Sequence, residues 1–432
     1  MKACPVCGRL YPEDSGFCPA DGQQLTSATQ VPVLGDSQDA RIGQLLCQRY
    51  QIRRVVADGG MGRVYEALDM HQRRALAIKV LHPDIAADDV AVQRFKREFL
   101  VSQELPHTYI VEVLDFQPTP DGSYALVMEF LYGEELRATL KREGVLSPAR
   151  AVRLLSQVAI GLDGAHQKRL VHRDLKPDNL FLCQTPDGDI AKILDFGSVK
   201  DKTDNAKKLT VMGTTIGSPY YMAPEQAQGL ETLDHRADVW ALGAIAYEAL
   251  TGQVPFNGPT GPAILLQILT KEPDPPSEVG KGKRYAVPPT LDRVLANAFK
   301  KNAAVRTESV GKLADAVGAA YGLTGTHLEW AQVPEKELAQ QIEAKLPELM
   351  RAPVPVQGAD ASEDFFGEHD ALGAMDQAFA ASNVAASAGG PPSVTQDDIA
   401  GIPKRSAGWV LPVAIGGSVL VISVVVVAWL LF

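Results

Sequence analysis

Five short motifs follow one another in a single order between Gly59 and Glu225. A glycine-rich turn, Gly59-Gly60-Met61-Gly62, comes first, then Ala77-Ile78-Lys79 inside an apolar run. His172-Arg173-Asp174-Leu175-Lys176-Pro177-Asp178-Asn179 follows, then Asp195-Phe196-Gly197 and Ala223-Pro224-Glu225. Taken singly, each has an ordinary explanation. A glycine turn closes many hairpins, and a lone lysine in a strand usually points to water. The order and spacing of the whole set are what constrain the fold, because each motif supplies a different part of one site.

The chemistry those parts share is phosphoryl transfer from ATP. Glycines bring backbone N–H groups close to phosphates with no Cβ in the way. A lysine, two carboxylates and an asparagine can then neutralise phosphate charge and hold metal ions. On these motifs the stretch Tyr50 to Tyr321 closely resembles the bacterial Hanks-type serine/threonine protein kinases. The resemblance implies an α+β, bilobal protein-kinase fold, with a small β-rich N-lobe and a larger helical C-lobe. The expected division is a zinc ribbon at residues 1–25, a linker at 26–48 and a kinase domain at 49–322. A largely disordered tether at 323–407, with a charged, helix-prone piece from Pro334 to Met350, and a transmembrane helix at 408–432 complete it.

Residue by residue, the resemblance assigns Gly59, Gly60 and Gly62 to the phosphate-covering turn, with Ala57 at the position where the family carries its first glycine. Val64 would cover the adenine. Lys79 would contact the α- and β-phosphates and be held by Glu98, which fits the motif register better than Glu104 of the same helical stretch, Asp89 to Glu104. Met128 takes the gatekeeper position, and the backbone from Glu129 to Leu131 would bond adenine. Asp174 would orient the substrate hydroxyl and accept its proton, Lys176 would meet the γ-phosphate, and Asn179 and Asp195 would carry Mg2+. Lys176 is the serine/threonine-type signature. Ser147-Pro148 is a capping hydroxyl followed by a first-turn proline, and starts an apolar-periodic helix that delivers the chain to this loop.

Ser198 to Pro224 would form the activation segment. Thr210, Thr214 and Thr215 are its candidate phosphorylation sites, Thr214 or Thr215 being favoured by distance from Ala223-Pro224-Glu225, and Arg173 would pair a phosphate there. Family members usually have Thr where Ser218 stands; the hydroxyl is kept. Glu225 is expected to pair with Arg306, and Asp238 to brace the catalytic loop.

Of the five cysteines, three fall within the first eighteen residues. Cys4-Pro5-Val6-Cys7-Gly8 has zinc-knuckle spacing, and Cys18 with Asp21 forms the second half, an acceptable ligand set for Zn2+. A redox pair or plain surface thiols are the alternatives. Cys47 and Cys183 are isolated, so a disulfide framework is not expected.

Trp409 to Phe432 carries no charge and as a helix would be about 36 Å long, more than the ~30 Å hydrocarbon core of a bilayer. Lys404 and Arg405 just before it favour a cytoplasmic N-terminal side. A single-pass anchor in the inner or plasma membrane with a cytoplasmic kinase domain is therefore expected. Its partners would be cytoplasmic protein substrates, with a transient homodimer for autophosphorylation in trans. A formal net charge of −10 argues against nucleic-acid binding, including by the ribbon. Two rivals are a non-catalytic scaffold, which Ala57 alone favours, and a small-molecule or lipid kinase, which would generally lack the Ser218-Pro219-Tyr220 and Ala223-Pro224-Glu225 docking segment.

Overall fold

The computed structural model describes residues 39–196, 219–230 and 232–351, with the backbone of residues 2–3, 10–11 and 26–27. The chain divides into two compact units, Met1–Val356 and Gln357–Phe432, and every described residue belongs to the first. Strands β1 (Lys2–Ala3), β2 (Leu10–Tyr11) and β3 (Thr26–Ser27) pair antiparallel in the order β2-β1-β3. The expected ribbon ligands Cys4, Cys7, Cys18 and Asp21, the expected phosphorylation sites Thr210, Thr214 and Thr215, and the apolar stretch 408–432 lie outside the described residues.

The N-lobe is one antiparallel sheet of β4 (Leu45–Leu46), β5 (Tyr50–Asp58), β6 (Gly62–Asp69), β7 (Ala75–Leu81), β8 (Val113–Pro118) and β9 (Tyr124–Glu129), in the order β4-β5-β6-β7-β9-β8. Alternation along the strands sorts the side chains. Ile52, Tyr65, Ala67, Ile78, Val80 and Val127 share one buried cluster, while Leu81, Val113 and Leu126 form another with Phe95. Phe95 comes from α2 (Asp89–Glu104), which follows the short α1 (Pro83–Ala86). Asp88 caps α2 by accepting from Val90 N–H, and Phe95, Glu98, Val101 and Ser102 form its buried face at helical spacing.

The end of the expected linker belongs to this lobe. Leu46 is buried in the sheet core, and Gly43 N–H donates to Ile52 C=O at 2.9 Å. Residues 39–46 are therefore part of the catalytic domain, because β5 offers an unpaired edge that this segment fills.

The C-lobe contains α3 (Leu136–Glu143), α4 (Pro148–Gln167), α5 (Pro224–Ala227), α6 (Arg236–Thr251), α7 (Gly261–Thr270), α8 (Pro276–Val279), α9 (Thr290–Ala298) and α10 (Val310–Ala320). A small sheet of β10 (Gly133–Glu135), β11 (Leu180–Cys183) and β12 (Ile190–Ile193) lies beside them in that order. Helix α6 is mostly apolar, with Asp238 and Glu248 among its charged exceptions, and is buried almost throughout. Its Trp240 stacks on Phe256 at 5.4 Å and meets the edge of Phe299 at 5.2 Å. Ser147 caps α4 through Arg150 N–H, with Pro148 in the first turn, as the dipeptide indicated.

The helical lobe also runs past its expected end at residue 322. Residues 323–349, assigned from sequence to the tether, include α11 (His327–Trp330) and α12 (Glu335–Leu349). Trp330, Leu338 and Ile342 enter the C-lobe core. Gly318 makes the room: a Cβ there would lie 2.1 Å from the Trp330 ring. Arg153 and Gln157 of α4 donate to Val333 C=O and Ala331 C=O at 3.0 and 3.1 Å. The charged composition of α12 conceals a narrow apolar stripe, Leu338 and Ile342 with the half-buried Leu346, and that stripe suffices once α4 offers a matching face.

Candidate active site

The glycine turn joins β5 and β6, with Ala57 opposite Val64 and Asp58 opposite Arg63. Ala57, Gly59 and Gly60 are exposed, and Val64 is half-buried. Gly62 is required by the sheet itself: a Cβ there would stand 2.3 Å from Val80 C=O on β7, whereas one at Gly60 would meet nothing within 4 Å.

Lys79 projects from the middle of β7 towards α2. Its Nζ lies 3.4 Å from Glu98 Oε2 and 3.7 Å from Asp195 Oδ2, so three charged residues drawn from both lobes converge on one point. The Phe95 ring adds a cation–π contact at 5.6 Å. Burial by itself would depress the ammonium, but the carboxylates of Glu98 and Asp195 prevail and hold it above its ordinary range. For Glu98, burial dominates and raises the carboxyl, with Lys79 working against that and Asp195 adding to it.

The catalytic loop is organised from beneath by Asp238 of α6. Its Oδ2 accepts from His172 N–H at 2.9 Å and its Oδ1 from Arg173 N–H, also at 2.9 Å. His166 Nε2 donates to the same carboxylate at 2.7 Å. Burial would raise Asp238, but the contacts from His166, His172 and the Arg173 backbone outweigh it and keep the carboxyl below its usual range. Curling the loop round this anion forces Arg173 to φ 67°, and Asp195 stands at φ 54°. Both conformations are costly for residues with a Cβ and are held by the surrounding contacts. His172 supplies one of them: its Nε2 donates to Leu194 C=O at 3.0 Å and its ring meets Phe196 edge-on at 4.9 Å.

Asp174 is half-exposed at the mouth of this loop. Lys176 Nζ donates to its Oδ2 at 2.8 Å, and Asn179 Nδ2 donates to its C=O at 2.7 Å. With its amide nitrogen committed to Asp174, Asn179 presents an oxygen as its metal-ligating atom. Together with the Asp195 carboxylate this is the all-oxygen donor chemistry that Mg2+ prefers, so the residues fit the ion.

At the hinge, Met128 lies between Ala77 and Val113 in the sheet register. Glu129 N–H donates to Glu112 C=O at 2.9 Å, so that group serves the sheet, while the Glu129 carboxylate takes Lys192 of β12 at 2.6 Å. The latter contact joins the two lobes. Leu131 follows, half-buried. The expected pair of Glu225 and Arg306 forms, with two contacts of 2.7 and 2.9 Å.

The structure thus brings Lys79, Glu98 and Asp195 to one point and Asp174, Lys176 and Asn179 to another in the adjoining loop. It also holds contacts beside the catalytic loop that the motifs did not announce. Arg137 of α3 binds Asp178 beside the catalytic loop, Glu248 of α6 and the Tyr221 hydroxyl at 3.3, 2.8 and 2.6 Å. These four come from distant parts of the chain, and no sequence spacing links them.

A family model described as protein kinase domain matches residues 50–308. Serine/threonine-protein kinase pkn3 of Myxococcus xanthus is 36% identical over 274 residues, 63% of this chain and 50% of that protein. Serine/threonine-protein kinase PknA of Mycobacterium tuberculosis is 38% identical over 283 residues, 65% of this chain and 63% of that protein. The chain therefore spans about half the length of pkn3 and under two thirds of PknA. A crystal structure of a double mutant of the Mycobacterium tuberculosis PknI kinase domain is similar, with a TM-score of 0.50 and 28% identity, covering 64% of this chain and 97% of that one. With the family model matching well over half its length, the chain belongs to the protein kinase domain family.

Proposed function

We propose that this protein is a serine/threonine protein kinase that transfers the γ-phosphate of ATP to hydroxyls of cytoplasmic proteins from a membrane-tethered position. The observation that carries the reading is the meeting of Lys79, Glu98 and Asp195 across the two lobes, beside Asp174, Lys176 and Asn179. Lys79 is charged and placed to grip phosphate oxygens, and Glu98 fixes its reach. The Asp174 carboxylate aligns a substrate hydroxyl and takes its proton, while Lys176 beside it counters the charge gathering on the transferred group. Asn179 and Asp195 would hold Mg2+, which supplies charge neutralisation at the phosphates when bound.

Serine/threonine relatives and the lysine at position 176 support the acceptor type. Autophosphorylation of Thr214, Thr215 or Thr210 in a transient dimer, with Arg173 as the phosphate's partner, is the regulation that the activation-segment sequence supports. Thiol spacing at Cys4, Cys7 and Cys18, with Asp21, supports a zinc ribbon. The uncharged stretch 408–432 after Lys404 and Arg405 supports the anchor.

The test is to incubate the detergent-solubilised full chain with Mg-ATP and map phosphosites by mass spectrometry, beside Asp174→Asn. Phosphate on Thr214 or Thr215 in the wild type alone supports the kinase. Nucleotide binding with no transfer in either would move the reading to a scaffold. Zinc content measured beside Cys4→Ser, and membrane fractionation beside a chain ending at residue 405, test the two additions.

A further inference from the structure

The segment entering the N-lobe is tied to the glycine turn by a continuous run of side chains. Asp39 begins it. Its carboxylate is nearly buried, 6% exposed, and accepts from Arg41 N–H at 2.9 Å, Tyr65 Oη–H at 2.8 Å and Arg63 Nη1 at 2.6 Å. Arg63 is the residue immediately after Gly62, and its Nε donates to Asp58 Oδ2 at 2.8 Å. Asp58 is the residue immediately before Gly59, so this one guanidinium closes the base of the turn. On the other side of Asp58, its Oδ1 lies 3.1 Å from His82 Nε2, which donates to Gly59 C=O at 2.9 Å. His82 N–H donates to Met61 C=O at 3.1 Å, so the end of β7 holds the turn at two points.

We propose that Asp39, Arg63, Asp58 and His82 act as a positioning relay that sets the height of the glycine turn over the ATP phosphates. The segment before β4 thereby tunes nucleotide affinity. The inference rests on the kinase reading of the site.

Two physical arguments give the relay its direction. Arg63 and Asp58 are 34% and 43% exposed, and an ion pair that open to water fixes little by itself. Asp39 supplies the rigid end, because a shielded carboxylate with three donors cannot rotate freely and orients the guanidinium it holds. The strap itself does not depend on that carboxylate. Its backbone is bonded to β5 through Gly43 and Gln44, and Arg41 pairs with Asp121 on the β8–β9 connection. Removing the Asp39 charge should therefore leave the strand in place and free the turn. A loosened turn spends less time with its N–H groups at phosphate distance, which lowers affinity without changing the residues at the reacting centre.

The experiment uses the full chain. Affinity for a non-hydrolysable Mg-ATP analogue is measured by calorimetry, and kcat and KM for ATP by steady-state phosphorylation. Asp39→Asn should weaken nucleotide binding and raise KM for ATP about five- to tenfold, with kcat changed less than about twofold. Asp39→Glu should restore part of the loss. Arg49→Ala breaks an ion pair elsewhere in the same sheet and serves as the stability control; it should lower the melting temperature with no change in nucleotide affinity. The double variant Asp39→Asn with His82→Ala should be less than additive in binding energy if the two act through one turn. Unchanged affinity in Asp39→Asn, or full additivity with His82→Ala, overturns the relay. A wild type that binds the analogue without transferring phosphate removes the kinase reading but leaves the affinity comparison decisive. One that binds no nucleotide removes both.

Discussion

The guanidinium of Arg306 and the carboxylate of Glu225 face each other through two parallel contacts of 2.7 and 2.9 Å, although 81 residues separate them in the chain. Arg306 also donates to Arg236 C=O at 2.7 Å and to Lys300 C=O at 3.1 Å, and its side chain is wholly buried. One guanidinium thus ties α5, α6 and the segment before α10 together. Arg306→Ala leaves the Glu225 carboxylate without its partner and should cost about 3–5 kcal/mol, read from urea unfolding. Arg306→Lys should recover little of this, since an ammonium cannot make the double contact.

On the proposed reading Glu98 is a positioning residue that acts through Lys79, 3.4 Å away. Glu98→Gln keeps the volume of the side chain but removes the charge that fixes the lysine. It should lower kcat/KM for ATP about 100-fold while the circular dichroism spectrum stays unchanged. A loss matching that of Asp174→Asn would be too large for a positioning residue and would assign Glu98 a direct part in the reaction.

Asp69 gives the N-lobe an acid sensitivity. Arg49 donates to both of its oxygens, at 3.1 and 2.7 Å, and His71 and Gln72 add backbone N–H groups. The Arg49 contact leads in holding the carboxyl down, from 3.8 to about 2. Because the folded value is the lower one, the stabilisation is fully present above the ordinary value and is lost as pH falls from 3.8 towards about 2. Melting temperature against pH should decline through that window, and Asp69→Asn should flatten the decline.

Leu338 lies against α4 with no exposed surface. Leu338→Ala should cost about 2–5 kcal/mol. Paired melting curves for Leu338→Ala and an exposed control, Leu328→Ala, would separate core packing from a surface effect; Leu328 is 59% exposed.

The parts legible in the sequence are those where chemistry restricts the residue. Phosphoryl transfer needs a lysine, carboxylates and an asparagine at fixed places, so Lys79, Glu98, Asp174, Asn179 and Asp195 could be named before any coordinates. Strand β7 and helix α2 were equally plain, because an apolar run interrupted only by Lys79 and a long helical stretch have few other outcomes. Contacts between distant surface charges were not legible. Nothing about Asp39 points to Arg63, 24 residues later, until β5 and β6 are paired. Gly62 was identified for a different physical reason from the one the structure adds, since the backbone of β7 also excludes a side chain there. The helical character of Pro334 to Met350 was legible and α12 forms there; its docking on the C-lobe was not, because its apolar stripe is narrow and its surroundings are charged.

The slot that Gly318 opens for Trp330 fixes where this domain can be cut or joined. The family match stops at residue 308, yet the ring filling that slot belongs to a helix beginning at His327. Any rearrangement that transplanted residues 50–308 alone would leave behind α10 and the indole that plugs it. The packed unit of this chain is therefore larger than the segment the family model matches, and it extends at least through Leu349.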